Sequence, residues 1–185
     1  LNNKRDKFLI VREQGVGDEI LYSSMYGDLL NDIDNVVIEC DSRLLNLYKR
    51  SFPKYSEKFV SLGSITNDDE KFKKINNIIY AGSLGRYYRK NIKDFKNNSF
   101  LKVDEKKLEE MKRKLSIYKK KYKIGLSWKS FSDKFATDKS LNLKDLNKIF
   151  SLTNCDIFNL QYGVVEDEIN SFNNTAKNKL LSIED

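Results

Sequence analysis

The sequence predicts an α/β fold, a parallel-sheet domain followed by the start of a second domain of the same kind. Three observations lead there. A continuous apolar run of strand length, Phe8-Leu9-Ile10-Val11, feeds into Gly15-Val16-Gly17 and then a helical pattern. Strand-like runs and helical patterns keep alternating along the chain, which implies crossover connections and a parallel sheet. A second buried-strand run, Ile124-Gly125-Leu126-Ser127-Trp128, opens after a long helical stretch. Unbroken apolar runs suit parallel strands, because helices cover both of their faces.

In order, the first helix is expected to start at Asp18, a natural N-cap residue, with Glu19 as a solvated first-turn acid. Its inward side is read as Ile20, Leu21, Ser24, Met25 and Leu29. Val36-Val37-Ile38 is the second strand, and Asp41 or Ser42 caps a helix that ends near Phe52-Pro53. Phe59-Val60 is a short third strand. Residues 67–74 are polar and read as loop or a short helix. Ile78-Ile79-Tyr80-Ala81 is a fourth strand, followed at once by Gly82-Ser83-Leu84-Gly85. A long helix runs from Asp104 to about Lys120, with Leu108, Met111, Leu115 and Tyr118 on one face. After the strand at 124–128 come a polar stretch to Lys139 and a helix with Leu143, Leu146, Ile149 and Phe150. A strand at 156–160 follows, and then a polar tail with an ambiguous helical piece near 165–172. The expected division is therefore a Rossmann-like domain over 1–120 and the incomplete start of a second over 121–185. Leu1 stands where an initiator methionine would, so the chain reads as a piece of a longer protein.

Composition narrows the class. Hydrophobic residues make up 39% and charged residues 33% of the 185, with one proline and eight glycines; this suits a folded domain and not a low-complexity chain. No apolar run approaches the roughly 18–20 residues of a membrane-spanning helix. The net charge of +7 could attract nucleic acid or phosphorylated ligands. The lysines are scattered and mixed with asparagine, however, and no aromatic-basic interleaving suited to base stacking is present. Specific nucleic-acid binding is not expected. With no histidine and no paired Cys-x-x-Cys, a His/Cys zinc site is not expected either. Cys40 and Cys155 read as buried, reduced thiols of a cytoplasmic protein.

Ligands of open parallel sheets bind beyond the carboxyl ends of the strands. Three segments fall there: Gly15 to Asp18, Gly82 to Arg86, and Ser127 to Lys139. Gly15-x-Gly17 is half of a dinucleotide fingerprint. Asp18-Glu19 then occupy the place where a pyrophosphate would sit, and two carboxylates at a helix start repel an anion. A carboxylate there suits proton abstraction from a hydroxyl; the alternative is a helix cap and nothing more. Ser127, Trp128, Lys129 and Lys139 could hold the phosphates of a nucleotide donor without a metal, or form a solvated basic loop. Arg86, Arg89 and Lys90 are a basic group or a surface charge run, and Tyr87-Tyr88 core or rim.

Six segments occur in an order that is similar to a known family: VREQGVGDEILYSSM (11–25), VVIECDSRLLNLYKRSFP (36–53), AGSLGRYYR (81–89), KIGLSWKS (123–130), KSLNLKDL (139–146) and NLQYG (159–163). Together they resemble the glycosyltransferase-like region that follows tetratricopeptide repeats in many bacterial proteins. That region is related to the ADP-heptose:lipopolysaccharide heptosyltransferases, glycosyltransferase family 9, of GT-B fold. The resemblance implies inverting, metal-independent transfer from a nucleotide-sugar donor, needing no cofactor, to a glycan or protein acceptor. It implies Asp18, in the Gly17-Asp18 pair, as general base and donor phosphates at Ser127, Trp128 and Lys139; by their place beyond the strands, Lys129 is expected with the phosphates and Gly15, Gly17, Ser83, Gly85 and Arg86 on an acceptor-side loop. The family's later donor segment, with its Asp-(Thr/Ser) and His-containing helix start, has no counterpart here, nor do the upstream repeats. An isolated piece of this extent is expected to be inactive. The alternative is a non-catalytic Rossmann-like module that binds a nucleotide or a protein.

Overall fold

The computed structural model describes residues 6–64, 75–130, 139–151 and 154–183. The expected loop or short helix at 67–74 and most of the polar stretch before Lys139 lie outside these residues. The chain forms two compact units, Leu1–Leu108 and Glu109–Asp185. Both are built on parallel sheets with helices, and the α/β, Rossmann-like class is what the structure shows.

In the first unit, β1 (Phe8–Val11), β2 (Val36–Cys40), β3 (Phe59–Ser61) and β4 (Asn77–Tyr80) form a sheet of order β3-β2-β1-β4. Phe8 pairs with Val36 and Asn77 in a parallel register. Central β2 is buried along its whole length, whereas edge strand β4 leaves Ile78 and Tyr80 exposed. One sheet face carries Phe8, Ile10, Ile38, Cys40 and Phe59 into the core. There they meet α1 (Val16–Ser23), α2 (Tyr26–Asp32) and α3 (Ser42–Ser51). Tyr26, Tyr48 and Phe59 pack ring against ring at centroid distances of 5.7–6.2 Å, an arrangement worth more than area alone.

Several expectations are corrected here. The helix after β1 begins at Val16, with Gly15 and not Asp18 at the N-cap; Asp18 is its third residue. The helical stretch also breaks at Ser24-Met25, so α1 and α2 are separate. Met25 and Leu29 are buried and Ile20 packs on the core as expected, whereas Leu21 and Ser24 are exposed and Glu19, Ser23, Tyr26 and Leu30 are buried too. Ala81 belongs to a 3-10 turn, Ala81–Leu84, and not to β4; the short α4 (Gly85–Tyr88) continues from it.

α5 (Glu105–Leu115) starts on Asp104, whose carboxylate accepts the backbone N–H groups of Lys106 and Lys107 at 3.1 and 3.2 Å. It stops five residues before the expected Lys120, after three consecutive basic residues, and Tyr118 packs edge-on to Phe158 instead, at 4.9 Å.

In the second unit, β5 (Tyr122–Leu126), β6 (Cys155–Asn159) and the short β7 (Leu180–Leu181) form a parallel sheet in that order. The sequence reading contained only two strands. Two residues are too short for a periodic signal, so β7 is visible only through its pairing with Ile157 and Phe158. The expected helix at 143–150 is a 3-10 turn, Leu143–Leu146, leading into a single turn, α6 (Asn147–Phe150). The ambiguous tail piece is a regular helix, α7 (Glu166–Thr175), whose Ile169 and Phe172 join Trp128, Leu143, Phe150 and Ile157 in the second core.

Candidate active site

β1 and β4 are adjacent, and the connection order reverses between them, since β1 leads to β2 on one side while β4 lies on the other. That is the switch point at which open parallel sheets bind ligands. Two loops leave it: residues 12–15 after β1 and the turn Ala81–Leu84 after β4. Glu13 ties them, its Oε1 accepting the Gly82 N–H at 2.8 Å. A Cβ on Gly82 would lie 2.9 Å from that oxygen and 3.2 Å from the Tyr22 ring. A side chain there would push the Glu13 carboxylate and the Tyr22 ring aside. A backbone N–H that could have bound a phosphate is thereby occupied by a carboxylate.

Beneath the β1 loop lies a buried charge network. The Arg12 guanidinium meets the Glu19 carboxylate at 2.9 Å and the Asp41 carboxylate at 3.1 Å, and donates to the carbonyls of Glu13 and Gln14 at 2.9 and 3.0 Å. Glu19 accepts the Asp41 N–H at 2.9 Å and is fully buried. The expectation of a solvated Glu19 is overturned, because Arg12 and the end of β2 converge on it from outside its own helix. Burial pushes the Glu19 carboxyl up, against the opposing pull of the Asp41 N–H and Arg12. Asp41 is held below the usual carboxylate range, chiefly by hydrogen bonds from Arg43, which donates from its backbone and its guanidinium at 2.9–3.0 Å. The same buried charges, after burial itself, push the Cys40 thiol up to about 12, so it stays protonated; both cysteines are buried and free.

Above this network, Asp18 is exposed. One of its carboxylate oxygens lies 2.9 Å from where a Cβ of Gly15 would be. The side chain therefore folds back over Gly15, and any larger residue there would displace it. Gly17 is exposed at the start of α1 and Ser83 on the turn after β4, Gly85 is half-buried, and Arg86 is exposed on α4. The loops of β1 and β4 thus bring Gly15, Gly17, Asp18 and Ser83 to one edge of the first sheet. Arg89 is used elsewhere, bonded to Asp28.

In the second unit, the corresponding loop after β5 is organised by Gln161, which the sequence reading did not single out. Its Oε1 accepts the Ser127 hydroxyl at 3.0 Å and the N–H groups of Trp128 and Lys129 at 2.8 and 2.7 Å. Its Nε2 donates to the carbonyls of Lys129 and Tyr162. The only earlier signal was its place in the NLQYG segment. Trp128 is buried in the core, its indole N–H 3.3 Å from Glu168. Lys129 pairs with the same carboxylate at 2.6 Å. Partial burial raises Glu168, but Lys129, the Leu143 N–H and the indole outweigh it and hold the carboxyl below its usual range. Glu166, Asp167 and Glu168 fill the first turn of α7. Lys139 is exposed, and the nearby Ser140 hydroxyl accepts the Ser130 N–H at 3.0 Å. Of the four residues expected at donor phosphates, Trp128 is thus a core side chain and Lys129 has its charge balanced.

The fold defines a class: Rossmann-like α/β proteins, here with the exposed Asp18 near the switch point of the first sheet. Among known proteins, no family model and no solved structure matches the chain significantly. It is similar to Protein FlbA of Caulobacter vibrioides (strain ATCC 19089 / CIP 103742 / CB 15), at 24% identity over 177 residues, covering 88% of this chain and 29% of FlbA. The chain spans less than a third of the length of that relative. Among the described residues, no helix is long and apolar enough to cross a membrane.

Proposed function

We propose that this chain is the acceptor-side domain, with part of the donor-side domain, of an inverting glycosyltransferase of GT-B type. The observation that carries the reading is Asp18: an exposed carboxylate in the first turn of α1, just beyond the carboxyl end of β1, where Arg12, Glu19 and Asp41 anchor the chain from below. In this reading the Asp18 carboxylate takes the proton from an acceptor hydroxyl. The oxygen attacks the anomeric carbon of a nucleotide-sugar, and the bond from that carbon to phosphate breaks. The electron pair leaves with the nucleoside diphosphate, and the configuration inverts. Rigid anchoring matters because a general base must stay within hydrogen-bond reach of its proton. The Glu13–Gly82 bond supports an uncharged acceptor in this crevice, since it removes an anion site.

The test is Asp18→Asn in the longer parent protein, with release of nucleoside diphosphate followed over a panel of nucleotide-sugars. A loss of about 10²–10⁴-fold is expected for removal of a general base; unchanged turnover overturns the assignment. A second reading, a binding module without transfer, is favoured by the balanced charge of Lys129 and the acidic first turn of α7. Release of nucleoside diphosphate from nucleotide-sugars separates the two, because a binding module, even one that holds a nucleotide, turns none over.

A further inference from the structure

Beside α2 lies a cavity of about 210 Å³ that the crevice does not use. The rings of Phe52, Phe95 and Phe100 line it, together with Gly27. Phe52 sits at the end of α3, and Phe95 and Phe100 on the segment after β4 and α4. The cavity opens to solvent past Phe95 and Lys96, so a small molecule can reach it. Phe95 is 61% exposed, an apolar ring held open at the rim with the Arg89 guanidinium 5.9 Å from its centroid.

The polar end of the cavity is a cluster of three charges. Arg89, whose side chain is only 8% exposed, donates to Asp28 at 2.8 Å and to the carbonyls of Tyr88 and Ser24 at 2.7 and 2.8 Å. Lys96 donates to the other Asp28 oxygen from a side chain that is 60% exposed. Two cations thus share one carboxylate, leaving one positive charge in excess. Arg89 is locked by four acceptor or ring contacts, while Lys96 stands at the open side, where its ammonium has three donors and one of them holds Asp28. Apolar walls with a few convergent polar groups are the ordinary make-up of a small-molecule site. The volume lies below the roughly 300–1,000 Å³ of drug-sized sites, which suits a ligand of about one ring.

We infer that this cavity binds a single six-membered ring bearing one carboxylate, with the ring against Phe52, Phe95 and Phe100 and the carboxylate taken by Lys96 beside Arg89. The inference does not depend on glycosyl transfer. A sugar acid and an aromatic acid share this chemistry. The 185-residue chain, labelled with ¹⁵N, is titrated separately with glucuronate, benzoate and neutral glucose. Saturable shifts are expected in the amides of Ser24, Gly27 and Asn98 with at least one of the carboxylates at millimolar concentration, and none with glucose. Response to glucuronate alone marks a sugar acid, to benzoate alone an aromatic acid. Lys96→Gln and Phe95→Ala both alter exposed side chains and should leave the fold intact. Lys96→Gln should weaken binding about tenfold, the loss of one charge-assisted hydrogen bond, and Phe95→Ala should weaken it measurably. The inference is overturned by no saturable shift with either acid, by an equal response to glucose, or by unchanged affinity in Lys96→Gln.

Discussion

The loops that leave the first strand of each sheet are held in opposite ways. After β1, a guanidinium and two carboxylates, Arg12, Glu19 and Asp41, grip the chain from below. After β5, one neutral amide, Gln161, accepts three donors and gives to two carbonyls. The charged anchor leaves an acid, Asp18, facing solvent. The neutral anchor leaves a lysine whose charge Glu168 already balances. A buried ionic network is costly to assemble and severe to break, so it is the first loop whose integrity depends on every member and on pH. The amide network costs less, and its failure is confined to the donors it leaves unpaired.

The largest effect is expected from Glu19→Leu, which strands the Asp41 N–H in the core and takes the buried carboxylate from Arg12, whose Nε keeps only the Glu13 carbonyl. Breaking a buried pair costs about 3–5 kcal/mol, read by urea unfolding of the chain. Glu19→Gln, which keeps an acceptor for the Asp41 N–H, should cost clearly less. If the two substitutions cost the same small amount, the contrast between the anchors collapses. Gln161→Leu comes next, at about 1–3 kcal/mol for each buried donor left unsatisfied. Trp128 is the one tryptophan in the sequence, so its fluorescence reports on the second unit directly. An unfolding midpoint that stays put would show that Gln161 does not organise this loop.

Acid titration sharpens the contrast further. Asp41 has its pKa lowered in the folded state, so its contribution is present above its unfolded value, about 3.9, and is lost as the pH falls below it. Glu19 works in the other direction: its raised value makes its charged form a cost near neutral pH that acid relieves. Arg43→Ala removes the largest cause of the Asp41 shift. It should therefore flatten the loss of stability between roughly pH 4 and 2; an unchanged slope would exclude Asp41 as its source. The smallest effect is expected from Asp18→Asn. An exposed substitution falls within about 0.5 kcal/mol, so a cost above about 2 kcal/mol in thermal unfolding would make Asp18 a structural residue and remove it as a free base.

The strands and the fold class were legible in the chain. Phe8-Leu9-Ile10-Val11, Val36-Val37-Ile38, Ile78-Ile79-Tyr80 and Ile124-Gly125-Leu126 are local apolar runs, and each lies in a strand of the structure. The Asp41 cap was legible for the same reason: its side chain accepts the N–H of Arg43, two residues away. The exact start of α1 was not, because Gly15 and Asp18 both suit a helix start and only backbone geometry chooses between them.

What lies under each loop was decided by tertiary structure alone. Glu19 is bonded to the N–H of a residue 22 positions away, and Gln161 to groups 32–34 positions away. A charged residue in a first turn reads as solvated, and a glutamine after a strand reads as a surface amide, until partners from other elements bury them. Local pattern determines where the chain is strand or helix, since that depends on neighbours a few residues apart. Which polar groups are desolvated depends on what folds against them, and here that placed a buried acid beside an exposed one at the end of the first strand.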